Sequence, residues 1–495
     1  MSGRRWWLPS LGAWLWLSLF LGLQLSPRRA ELLNDGDPCW HWVQGNWMIE
    51  HRAVLRTDVL SHTRAGAPLV CKEWGGEVLW ALAGNCFGWS GVILLAATLI
   101  ATTQWLLYRQ LRWENLDALP AAILTLLAAW TCSSHWLARP HLITHLLALL
   151  MGWTLRDFDR DRISSRQAGW RIAALMFVWA NLHGGFFTGF MMIGFYMLGY
   201  GVWWIAATPA IRPQLARRFA TLFALAVVAV MISLLNPNGW QLHAHIFGFL
   251  RVPALALSTN EWQPPDLGST AMRGYVVLLV SLAAVAVVLR PRLRWTDVVV
   301  TIGWGALALR VSRNVAIFAL VVTPILAEHL AAALRKSQKN WWARWSAFDH
   351  TAGGGTVVVV TIIAVLLALS KGALATRLPE SQWPIEAVRF LRTSGNGLHG
   401  EMFNEYIWGG YLAQQIPELK VFIDGRNDFY GSELVREYVK VCQAGVGWES
   451  VLAKHDVGWT ILPTGHRLNE VLAHRPQWEV AHIDAVATVY RRRSL

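Results

Sequence analysis

Long apolar runs separated by short polar breaks carry the chain as far as residue 371, and beyond it apolar and polar positions mix as in a water-exposed domain. The runs centre on residues 6–25, 88–107, 118–132, 141–155, 170–182, 186–206, 219–235, 272–289, 297–311, 314–331 and 355–370. Each approaches the roughly 20 mainly apolar residues that cross a bilayer as a helix, and shorter ones suffice where neighbouring helices bury them. The pattern predicts a polytopic α-helical membrane protein of about 11 spans. The pairs 170–182/186–206 and 297–311/314–331 also read as single long broken helices. Residues 1–371 form the predicted transmembrane part, with a long first outer loop over 26–87, and residues 372–495 a C-terminal extracytoplasmic α/β domain. There the periodicity predicts helices over 384–391, 408–415, 433–442 and 449–455, and extended segments over 398–403, 420–424, 457–462 and 487–490. That succession suits a small, partly parallel sheet.

Composition sharpens this. The chain is 54% hydrophobic and 15% charged, against about a quarter charged in an average soluble domain. A single soluble domain, a disordered chain and a disulfide miniprotein are thereby excluded. The net charge of +13 sits mostly in alternate loops. With Arg4 and Arg5 inside, the other inside loops carry Arg109 and Arg112, then Arg156, Arg160, Arg162 and Arg166, then Arg212, Arg217 and Arg218, then Arg290, Arg292 and Arg294, then Arg335, Lys336, Lys339 and Arg344. This is the positive-inside pattern, with Arg28 and Arg29 a local exception. It places the N-terminus in the cytoplasm and, after an odd number of spans, the C-terminal domain outside. In a Gram-negative bacterium that is a multi-pass inner-membrane protein with a periplasmic domain. The charge is accounted for without a nucleic-acid partner. The 31 Trp residues suit membrane-interface belts and aromatic grooves. Residues 1–30 have the basic start and apolar core of a cleaved signal peptide, but Arg28 spoils the small-residue pattern before Ala30, so a retained first helix is expected.

A first loop as long as 26–87 is more than a connector. Trp42, Trp47, Ile49 and Val54, mixed with His and charges, predict amphipathic helices lying in the interface, with another over 72–84. The loop opens on Asp35-Gly-Asp37. Two carboxylates so spaced beside a Gly can hold a divalent metal ion or divide into base and helper. The plainer reading is a helix cap followed by an Asx-Pro turn. The same spacing recurs in Asp157-Phe-Asp159, expected on a solvated inner face.

Other polar residues fall on the outer side: His183 before Gly184-Gly185, Arg139 before Pro140-His141, Glu261 in the loop 239–271, and Arg310 and Arg313 at a break between runs. An Arg or His at membrane depth needs a partner, either a carboxylate of the protein or a ligand phosphate. Cys39 and Cys71 share the oxidising side and the same loop, where a disulfide between them is one reading. Cys86, Cys132 and Cys442 read as plain buried residues. No P-loop, H-E-x-x-H, C-x-x-C or G-x-S-x-G motif is present.

In the C-terminal part, Phe403–Tyr411 and Asp424-Gly-Arg426-Asn-Asp428-Phe-Tyr430 are dense in functional residue types. Asp424 is expected at the carboxyl end of a strand, where α/β sheets bind ligands. The structural reading is a salt bridge and turn for Asp424 and Arg426. The functional one is an acceptor-facing or carbohydrate-facing edge.

Together these features resemble the GT-C class of integral-membrane glycosyltransferases, in the branch of protein mannosyltransferases and aminoarabinose transferase-type enzymes. The acidic pair Asp35 and Asp37 after the first span, the long outer loop and the outer α/β domain carry the likeness. The chain is more closely similar to an uncharacterised bacterial membrane protein group, through the run Asp37-Pro-Cys-Trp40-His41-Trp-Val-Gln-Gly45-Asn-Trp47-Met-Ile49, the segment Trp179-Ala-Asn-Leu-His183-Gly-Gly and the segment Val421-Phe-Ile-Asp424-Gly-Arg426-Asn-Asp428. The resemblance implies transfer of a sugar from a polyprenyl-phosphate-linked donor to an unidentified extracytoplasmic acceptor, inverting, within membrane lipid. It implies Asp35 and Asp37 as catalytic carboxylates, with or without a divalent metal ion, and Arg139, His183 and Arg313 on the donor phosphate. Glu261, His41, Asp424 and Arg426 stand as acceptor-side or supporting residues. The alternatives are a catalytically silent membrane scaffold and a transporter or flippase of lipid-linked saccharide.

Overall fold

Each apolar run folds as helix in the computed structural model, which describes residues 8–251, 260–290, 293–336, 341–394 and 397–493. Arg4, Arg5, Arg292, Lys339 and the start of the first run lie outside the described residues. The helices are α1 (Leu11–Leu25), α2 (Asp37–His51), α3 (Trp74–Trp113), α4 (Ala118–Ser133), α5 (His141–Asp159), α6 (Ser165–Leu182), α7 (Phe187–Ala206), α8 (Arg212–Ser233), α9 (Trp240–Leu250), α10 (Arg273–Leu289), α11 (Trp295–Arg310), α12 (Asn314–Lys336), α13 (Trp341–Thr351) and α14 (Gly355–Ser370). Both ambiguous pairs resolve into two helices: α6 and α7 flank the turn Gly184–Phe186, and α11 gives way to α12 through Val311–Arg313.

Among the described residues, five helices are long and apolar enough to cross a membrane, fewer than the eleven spans expected. The shortfall has physical causes. Three apolar helices, α1, α4 and α14, are short, and α5 carries buried His141, His145 and Arg156. As expected, the helices over residues 72–84 and 88–107 are distinct: they are the two halves of α3, separated by non-helical Phe87 and Gly88, the latter at φ +60°.

Three expectations are corrected. Asp157 and Asp159 are not on a solvated face; they are 4% and 1% exposed. The basic loop residues of the inner side fold back onto them: Arg162 bonds to Asp157, and Arg160 and Tyr200 to Asp159. Arg156 completes this network with Glu114, Asp297 and Glu328. Cys39 and Cys71 are both free, and Cys71 donates to Glu77 instead. Cys86 is exposed rather than buried, and Cys442 only half-buried, while Cys132 is buried as expected.

The C-terminal part holds a four-stranded sheet in the order β1-β2-β4-β3, with β1 (Glu401–Asn404), β2 (Val457–Pro463), β3 (Trp478–Ile483) and β4 (Ala487–Arg492). The β1/β2 pair is parallel and the other two are antiparallel. Residues 420–424 do not join it: Val421 bridges Ser61 of the first loop, so Asp424 does not end a sheet strand. The loop and the domain are thereby locked together. Thr63 donates to the Phe422 carbonyl, and Arg426 pairs with Asp58. Backbones approach closely enough that a Cβ on Gly36 would lie 2.1 Å from the Ile407 carbonyl oxygen.

Candidate active site

The outer loop turns sharply at its start, and the turn points two carboxylates inward. The Asp37 N–H donates to Asp35 Oδ1 at 3.2 Å, the Asx geometry that Asp-Gly-Asp favours. Asp37 then begins α2, where the positive end of the helix dipole suits an acid. Trp40, one turn on, donates its indole N–H to Asp37 Oδ1 at 2.9 Å.

Arg139 reaches the pair from the turn between α4 and α5. That turn is pinned by the Ala138 N–H to Leu32 and by the Trp80 indole N–H to Ala138. One Arg139 Nη donates to Asp35 at 2.8 Å and to Asp37 at 2.6 Å, and the other to Glu261. Glu261 sits in the turn Asn260–Trp262, held by the Arg313 and Ser312 donors to its own carbonyl. Three carboxylates from two distant stretches thus close on one guanidinium that is 8% exposed. Burial works against ionising Glu261, but Arg139, then His135 and Arg313, outweigh it and hold its pKa well below the usual carboxylate range. Asp37 goes the other way: burial and the neighbouring Asp35 outweigh Arg139 and raise its pKa to about 7.

These residues line one cavity of about 170 Å³, together with His41, Lys72, Glu73, His183, Arg313 and Asp428. His183 caps α6 in an extended conformation, and its Nδ1 accepts from the Gly185 N–H at 2.8 Å. The proton of the neutral ring is then on Nε2, 3.7 Å from Glu73. His41 Nε2 faces Glu73 from the other side at 3.6 Å. Burial lowers the pKa of both rings and raises that of Glu73. Lys72 and His245 pair with Asp428, and they overcome burial to keep its carboxyl well below the usual range. Arg313 stacks its guanidinium 4.8 Å from the Trp262 ring. Among the described residues no carboxylate oxygen lies within ion-pair reach of it.

Of the nine residues singled out from sequence, seven line this cavity: Asp35, Asp37, His41, Arg139, His183, Glu261 and Arg313. Asp424 and Arg426 do not. They are buried together, Arg426 bonded to Asp424, to Asp58 and to the Tyr430 hydroxyl, as a bracket under the site. The intervening Gly425 does reach the cavity. Arg310 is exposed and also lies away from it. Sequence reasoning passed over Lys72 and Glu73, and named Asp428 only within the segment 424–430, without a role. The adjacent charges Lys72 and Glu73 at the start of an apolar helical run were the available signal.

The expected divalent metal does not fit the donors as arranged. Asp35, Asp37 and Glu261 already converge on the Arg139 guanidinium, which stands where a cation would bind. Among the described residues no group of three or more His, Cys, Asp or Glu is placed to hold a metal ion.

Comparison with known proteins bears on the fold. The oligosaccharyltransferase of Archaeoglobus fulgidus, tethered with an acceptor peptide containing the NVT sequon, matches 90% of this chain and 69% of its own, with TM-score 0.55 and 13% identity. Its apo form matches with TM-score 0.54. ArnT from Cupriavidus metallidurans in the apo state matches 92% of this chain and 93% of its own, with TM-score 0.50 and 13% identity. The chain has the GT-C fold. No protein-family model matches it, and no curated protein does. With its apolar helices, the GT-C fold makes this a membrane protein that carries a small C-terminal sheet.

Proposed function

We propose that the chain is a membrane glycosyltransferase that moves a sugar from a polyprenyl-phosphate-linked donor to an extracytoplasmic acceptor, with inversion. One observation carries this reading: a carboxylate triad organised on Arg139 shares its cavity with Arg313, a cation with no described carboxylate within ion-pair reach. Base and anion site stand side by side, as displacement of a phosphate requires.

Asp35 takes the proton of the acceptor hydroxyl while that oxygen bonds to the anomeric carbon. The bond from that carbon to the phosphate oxygen breaks, and polyprenyl phosphate departs with the electron pair. Arg313, Lys72 and the His183 Nε2–H stabilise the negative charge that develops there. Arg139, with both Nη groups committed to carboxylates, positions Asp35, Asp37 and Glu261 rather than binding phosphate. No step is routed through a metal. The basic loops favour a bacterial inner-membrane protein with a cytoplasmic N-terminus and a periplasmic C-terminal domain.

The test is turnover by purified protein against a panel of polyprenyl-phosphate sugars. Asp35→Asn is expected to lose about 100-fold or more with an unchanged unfolding temperature. A scaffold shows no turnover in either form, and a flippase moves donor without cleaving it; either result overturns the reading.

A further inference from the structure

A second cavity adjoins the first, and Asp35 is in the wall of both. It lies between the start of the outer loop and the C-terminal domain and has a volume of about 580 Å³, within the roughly 300–1,000 Å³ usual for small-ligand sites. Its chemistry differs from that of its neighbour. The first cavity pairs five carboxylates with Lys72, Arg139, Arg313 and three His. In the second, no described lining residue is Lys, Arg or His, and the two charged ones are Asp35 and Glu405. An anionic ligand that suits the first is repelled from the second.

The rest of the wall supplies short hydrogen-bonding side chains, among them Asn34, Ser381, Gln382 and Thr464, beside the indoles of Trp383 and Trp408. Trp383 is 2% exposed, and its indole N–H has no hydrogen-bond partner among the described residues. Glu405 has no cation within ion-pair reach among the described residues, and its carboxylate faces the Tyr406 and Ile407 backbone N–H groups of the turn that follows it.

We infer that this cavity is the acceptor site, and that it takes a saccharide without anionic groups, one hydroxyl of which is presented to Asp35. The inference rests on the transferase reading and names its acceptor class. Carboxylates and side-chain amides match the vicinal hydroxyls of a sugar, and indole edges match its C–H faces. A peptide in extended form is bound chiefly through strand backbone, whereas most of these walls are turns: residues 381–383, the turn Tyr406–Trp408 and residues 463–465.

The test is saturation-transfer NMR on the full chain in lipid nanodiscs, with cellobiose, lactose and chitobiose as saccharide probes and an N-acetylated, C-amidated Gly-Ser-Gly as peptide probe. Undecaprenyl-phosphate binding is read separately. Gly465→Trp adds bulk at the cavity wall, at a position where a Cβ meets nothing within 4 Å. At least one disaccharide is expected to give signal, reduced about fivefold or more by Gly465→Trp and by Glu405→Gln, and kept in Arg313→Ala. The peptide is expected to give none. No saccharide signal, a signal that survives Gly465→Trp, or peptide signal in its place overturns the inference. Failure of undecaprenyl phosphate to bind the unmodified chain, with the saccharide result intact, counts instead against the donor reading.

Discussion

Arg139 is the residue on which the site depends most. Removing a partner from a buried ion cluster costs roughly 3–5 kcal/mol because the remaining charges stay buried and unpaired. Arg139→Met leaves Asp35, Asp37 and Glu261 facing one another, so a drop of that size is expected in thermal unfolding. The same three carboxylates then form an open cation site. Added Mn²⁺ is expected to raise the unfolding temperature of the variant and not that of the unmodified chain. Asp37 sets a pH dependence. With its pKa raised to about 7, the group is protonated below that pH and ionised above it. If both carboxylates must be ionised for catalysis, kcat/KM rises as pH increases through about 7, and Asp37→Asn removes that limb from the pH–rate profile. Asp35 and Asp37 were legible in the sequence as an acidic pair after an apolar run. Their counter-ion was not, because Arg139 lies about a hundred residues away and only helix packing brings it near.

At the scale of elements, close backbone contacts aim the side chains. A Cβ at Gly425 would stand 1.9 Å from Asp37 Oδ1 and 2.8 Å from the Trp40 indole nitrogen. Gly425→Ala must therefore displace Asp37 or the segment 424–428. A misplacement of about 1 Å at a reacting group costs on the order of 100-fold. Turnover is expected to fall by that factor while circular dichroism stays unchanged. The segments Asp37–Ile49 and Asp424–Asp428 stood out separately in the sequence, and the structure shows one reason: they are two sides of a single contact. Periodicity predicted most helices well. It failed for residues 420–424, where an apolar run that looks like a strand bridges the first loop instead of the sheet. It also passed over β3, whose half-exposed pattern lacks a clean alternation.

Across the whole molecule, two buried ionic brackets fix the architecture, one at each end. At one end Arg156 draws Glu114, Asp297 and Glu328 together. At the other, Arg426 ties Asp424 to Asp58 and thereby the C-terminal domain to the first loop. Arg426→Met is expected to lower stability by roughly 3–5 kcal/mol and to open residues 52–70 to protease, whereas Arg389→Ala, in an exposed pair, is expected to do neither.

By itself the sequence determined the membrane class, the succession of helices and the identity of seven side chains that share a cavity. These are matters of local hydropathy, helical period and residue chemistry, and each can be read within a short window of the chain. Only the tertiary structure decided which acid meets which base. It placed Arg139 between the carboxylates, buried Asp157 and Asp159 among arginines, and left Cys39 apart from Cys71. Each of these outcomes is a pairing between distant positions, chosen by backbone packing and by the requirement that a charge out of water find its opposite.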